Sequence, residues 1–103
     1  MSYRRLLSGL LLLVLFAGPA VGGDVAAGKA KSTACSGCHG PDGNSTSQRW
    51  PKLAGQHEAY LIKQMVAFKA GERHDPIMKA IMQAFSDTDI ANLAAYFAAQ
   101  QGR

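Results

Sequence analysis

The chain has 103 residues, enough for one small domain. Its formal net charge of +4 falls to +2 once Arg4 and Arg5 are set aside with a leader, too mild a bias to argue for nucleic acid or a membrane surface. With only two cysteines, Cys35 and Cys38, three positions apart, a disulfide-built scaffold is excluded.

Arg4 and Arg5 precede an almost wholly apolar run, Leu6 to Phe16, and small residues around Pro19 follow. Basic, apolar and small, in that order, is the pattern of a secretory signal peptide. Ala20 and Gly22 suit positions −3 and −1, which places the signal peptide over 1–22 and the mature domain over 23–103. An uncleaved anchor competes, but the run is short for a span of ~20 residues, and Ser8 and Gly9 interrupt it. The expectation is an exported, soluble, periplasmic protein. The 81 residues left bury little apolar surface, so a chain this short needs a metal, a cross-link or a large cofactor as a staple.

Asp24 caps a first helix that carries Val25, Ala26 and Ala30 and runs close to Cys35. Ser36 to Gln56 is rich in Gly, Pro, Ser, Asn and Asp, which is loop chemistry. Tyr60, Leu61, Gln64, Met65 and Phe68 then recur at helical spacing, and Gly71 ends that helix. After the break at Glu72 to Pro76, a short apolar piece covers Ile77 to Phe85. Ser86 and Asp89 form a variant capping box for a last helix with Ile90, Leu93, Ala94 and Phe97, running to about Gln101. No repeat and no alternating strand-like run is present. The fold class is all-α: three main helices, a short one, and loops long enough to be wrapping something.

Cys35-Ser36-Gly37-Cys38-His39 is C-x-x-C-H, the attachment motif of c-type haem. Two thiols on one helical turn can each add to a vinyl group of the same porphyrin, and the next residue, His39, is then held beside the iron. Two other fates compete. A thioredoxin-like pair needs a βαβ pattern, which is missing. A zinc site would have to recruit His57 and His74, which are 17 positions apart, far from zinc-finger spacing. Export favours a thioether or a disulfide over a reduced thiol. For the other axial position the residues offer Met65, Met78, Met82, His57 and His74. Met65 lies on the apolar side of its helix, where methionine is ordinarily core filling. Met78 follows the Asp75-Pro76 break on a segment free to cross a haem face, with Met82 one turn along.

Beyond the motif, PDGNS (41–45), WPKLAGQ (50–56), YLIKQM (60–65) and FSDTDIANLAAYFAAQ (85–100) complete a likeness over nearly all of 23–101. The chain resembles a class I cytochrome c, most of all one half of the periplasmic dihaem cytochromes c. Its single C-x-x-C-H matches a single-haem relative. The resemblance implies the small cytochrome c fold around one haem c, with Met78, eight residues before Ser86, as sixth ligand and His39 as fifth. It also implies a bond from His39 to the Pro51 carbonyl and contacts from Arg49 and Trp50 to the propionates. Leu53, Leu61, Phe68, Leu93 and Phe97 would line the haem or pack the helices, and Gly28 would let the first helix cross the last near Leu93 or Tyr96. The function implied is a single-electron carrier, not an enzyme, working between periplasmic or membrane redox partners as a monomer. Some of Lys29, Lys31, Lys52, Lys63, Lys69 and Lys79 would guide docking to acidic partners. The rival function is a haem-based ligand-binding or peroxidase-like module, which needs an open sixth position and polar groups beside it.

Overall fold

The computed structural model describes residues 9–11 and 22–103. The rest of the expected signal peptide lies outside the described residues. Among them are five helices and no strand, and no helix is long and apolar enough to cross a membrane.

The first helix differs from the expectation. It divides at Ser32 into α1 (Val25–Lys31) and α2 (Thr33–His39). The Ser32 hydroxyl donates back to the Lys29 carbonyl at 2.7 Å, a local bond that competes with the helical ladder. Helix then continues to His39, four residues into the stretch expected to be loop. The serine and glycine within C-x-x-C-H read as turn chemistry, yet the Ser36 hydroxyl bonds back to Thr33 O inside the helix at 2.8 Å. Asp24 caps α1 as expected, accepting from the Ala27 amide at 2.8 Å.

The helix after the loop and the last helix follow their signals closely, whereas the short one between them takes in Pro76, expected in the break, and ends at Met82, short of Phe85. α3 (Glu58–Ala70) ends at Gly71, whose φ of 79° is the left-handed conformation that glycine adopts without strain. α4 (Pro76–Met82) has proline in its first turn, where the missing N–H is no loss, and Asp75 as its cap. α5 (Asp87–Ala98) opens on a complete capping box, with Asp89 N–H donating to Ser86 Oγ and Ser86 N–H to the Asp89 carboxylate, both at 3.1 Å. It stops at Ala98, short of Gln101.

α5 is the central element: Ile90, Leu93, Ala94, Tyr96 and Phe97 are buried, together with Leu61 of α3, Met82 of α4 and Phe85. α1 crosses α5 at Gly28, where an added Cβ would lie 1.9 Å from Asn92 O and 2.8 Å from Tyr96 Cβ. The crossing partners are therefore Asn92 and Tyr96, and glycine is what permits the approach. The segment between α2 and α3 is strapped to α5 by Tyr96 Oη donating to Pro41 O at 3.0 Å and Gly55 N–H donating to Phe97 O at 3.0 Å. This leaves a hollow bounded by α2, that strap, α3 and α4.

Candidate functional site

Cys35, Cys38 and His39 stand at i, i+3 and i+4 of α2, so one helical face presents all three. They line a cavity of about 420 Å³, within the range usual for small-molecule and cofactor sites. The strap contributes Pro51 and Leu53, α3 contributes Leu61, Met65 and Phe68, α4 contributes Met78, Ile81 and Met82, and α5 contributes Phe97. All five residues expected at the site, Cys35, Cys38, His39, Pro51 and Met78, thus share one cavity. So do Met65 and Met82. His57 and His74 are exposed and line no part of it.

The His39 ring is buried, 6 % exposed, with Nδ1 2.8 Å from Pro51 O. A carbonyl only accepts, so Nδ1 carries the proton and donates. In the neutral ring the lone pair is then on Nε2, which makes no hydrogen bond among the described residues and is open to the cavity rather than sealed in the core. A buried imidazole with one nitrogen saturated and the other bare is the state in which histidine binds a metal. Neither cysteine forms a disulfide. Burial pushes the Cys35 thiol up from its ordinary value, away from the lowered pKa a dithiol redox pair needs. Among the described residues no group of three metal-binding side chains exists, so nothing supports the zinc reading. Two thiols and a bare imidazole nitrogen on one face of an apolar, thioether-lined cavity fit a tethered iron porphyrin.

Of the residues expected to line or pack, Leu53, Leu61, Phe68 and Phe97 face the cavity, whereas Leu93 is fully buried in the core instead. Arg49 and Trp50 are at the cavity, with the Arg49 guanidinium 5.3 Å from the Trp50 ring. Sequence reasoning missed Arg73. It follows the glycine that ends α3 and reads there as ordinary surface charge, and no spacing rule marks it. A second, open hollow of about 650 Å³ shares Trp50 and Lys52 with this cavity, is lined by residues such as Asn44, Ser47 and Arg103, and contains no thiol, imidazole or thioether.

The family model described as Cytochrome c matches residues 25–100. The chain belongs to the cytochrome c family. Its cofactor is covalently bound haem c. Cytochrome c4 of Pseudomonas aeruginosa is 49 % identical over 99 residues, covering 95 % of this chain and 49 % of that protein. Cytochrome c-554(548) of Halomonas halodenitrificans is 39 % identical over 82 residues, covering 77 % of this chain and 99 % of that protein. The crystal structure of reduced recombinant cytochrome c4 from Pseudomonas stutzeri superposes with a TM-score of 0.76 at 42 % identity, over 79 % of this chain and 47 % of that one. This chain spans about half the length of the cytochrome c4 relatives and nearly all of the shorter cytochrome.

Proposed function

We propose that the chain is a periplasmic single-electron carrier, not an enzyme, with one haem c per chain. In this reading Cys35 and Cys38 would hold the haem through thioether bonds, and His39 Nε2 and Met78 Sδ would ligate its iron. The observation that carries it is the buried His39 ring, saturated at Nδ1 by Pro51 O and bare at Nε2. When bound, the haem supplies an iron that gains and loses one electron.

The chain's own residues do the rest. Pro51 O fixes the tautomer and orientation of the imidazole. Leu53, Leu61, Phe68 and Phe97 exclude water, which keeps the surroundings of a charge-changing centre from rearranging. Met78 is favoured over Met82 because Met82 is 1 % exposed and packed into the core, whereas Met78 is half-buried at the cavity, its N–H held by Asp75 at 2.9 Å. Thioether ligation raises the potential relative to a second histidine and suits a carrier. Three methionines line the cavity and offer the thioether that a carrier calls for.

Partners are redox proteins, met transiently by a monomer through a small contact, membrane redox complexes included. Ile77, 63 % exposed, and Tyr60 put apolar surface at the cavity, and the exposed cations Arg49, Lys52 and Arg73 adjoin it. That combination suits an acidic docking face.

One spectrum tests the reading. The air-oxidised protein is expected to show the weak sulfur-to-iron charge-transfer band at the red end of the visible, and Met78→Ala is expected to abolish it. A mature chain whose mass shows no tetrapyrrole on Cys35 and Cys38 overturns the whole proposal.

A further inference from the structure

α4 carries Met78, so whatever fixes α4 fixes where that thioether sits. At its C-terminal end, the Gln83 amide donates to the carbonyls of Lys69 at 2.9 Å and Lys79 at 3.0 Å, and Lys69 Nζ donates to Phe85 O. At the N-terminal end, the Asp75 carboxylate accepts from the amides of Ile77 at 3.0 Å and Met78 at 2.9 Å. Asp75 closes the turn between α3 and α4, and that turn is fastened to α3 at Arg73. The Arg73 N–H donates to Ala67 O at 3.1 Å. Its Nη1 donates to Gln64 Oε1 at 2.8 Å, and its guanidinium carbon lies 4.5 Å from the centre of the Phe68 ring.

Gln64 and Phe68 are i and i+4 on one face of α3, and they line the cavity together with Arg73, Asp75 and Met78. Arg73 forms no salt bridge among the described residues. An exposed arginine would ordinarily extend into water, yet this one spends its planar head on an amide and an aromatic face of the neighbouring helix. Such a contact uses the shape of the guanidinium as well as its charge, and lysine cannot reproduce it.

We infer that Arg73 is a positioning residue for Met78. Its guanidinium, held between Gln64 and Phe68, locks the turn that carries the Asp75 cap, and so keeps the first turn of α4 and its thioether at the cavity against competing ligands. The inference rests on reading Met78 as the axial ligand.

The test is titration of the oxidised holoprotein with imidazole, followed by loss of the charge-transfer band. With one hydrogen bond and one cation–π contact removed, Arg73→Ala is expected to bind imidazole about tenfold more tightly than the wild type. Gln64→Ala, which removes the hydrogen bond alone, is expected to give about threefold. Arg73→Lys should resemble Arg73→Ala, because charge without the planar fork does not lock the turn. Wild-type affinity in Arg73→Ala, or full restoration by Arg73→Lys, overturns the inference while leaving Met78 as ligand. If Arg73→Ala fails to fold, Gln64→Ala and Arg73→Lys decide by the same readout. A wild type without the band, or a Met78→Ala variant whose imidazole affinity is unchanged, overturns the ligand reading and this inference with it.

Discussion

Met78 and Met82 stand one turn apart on α4 and line the same cavity, but they are buried to different degrees. Met82 packs among Leu61, Phe85 and Phe97, so Met82→Ala is expected to cost about 2–5 kcal/mol in denaturant unfolding while keeping the charge-transfer band. Met78→Ala should lose the band. The two variants separate a packing role from a ligand role at neighbouring positions. Asp42 offers a pH test at the same scale. A hydrogen bond from the Arg103 guanidinium at 2.8 Å, aided by Asn44, lowers its carboxyl from 3.8 to about 2. A depressed carboxyl favours the folded state when ionised. Its contribution is therefore present above the unfolded value and is lost as pH falls from about 3.8 through about 2. The pair is exposed, so the effect is small, and Asp42→Asn should flatten only that stretch of a stability–pH curve.

Helix termini decide how the elements are arranged. The capping box of α5, the proline at the start of α4 and the left-handed Gly71 after α3 are local devices, and each acts where its residues stand. The break between α1 and α2 is also local in origin, yet it was not legible, because a serine mid-helix bends the chain in one context and is tolerated in another. Gly28 belongs to both scales. Its Cβ-free backbone lets α1 lie against Asn92 and Tyr96 of α5, and Gly28→Ala would force α1 away from its seat. Overpacking of this kind is expected to cost about 3 kcal/mol, read as a lower denaturant midpoint with the haem spectrum retained.

For the whole molecule the cavity is the governing feature. Without a cofactor, the apolar lining of this cavity of about 420 Å³ would face water, and so short a mature chain has little other core to offset that. The polypeptide therefore depends on its cofactor for a core. Replacing both Cys35 and Cys38 by serine is expected to yield a chain with no haem absorbance and most of its helical far-UV signal lost. Retention of native helix content in that variant would show that the chain packs by itself.

The sequence alone was enough to establish the helical class, the capped starts of the first and last helices at Asp24 and Ser86, and the C-x-x-C-H motif, because caps, periodicity and covalent attachment depend on residues near one another in the chain. It also named Met78, but through resemblance, since spacing left Met65 and Met82 open. Only the tertiary structure decided that Leu93 belongs to the core rather than the cavity, that Gly28 meets Asn92, and that Arg73 reaches back to Gln64 and Phe68. Those contacts join segments that meet only once α3, α4 and α5 have packed, and no local pattern encodes which side chains will then face each other.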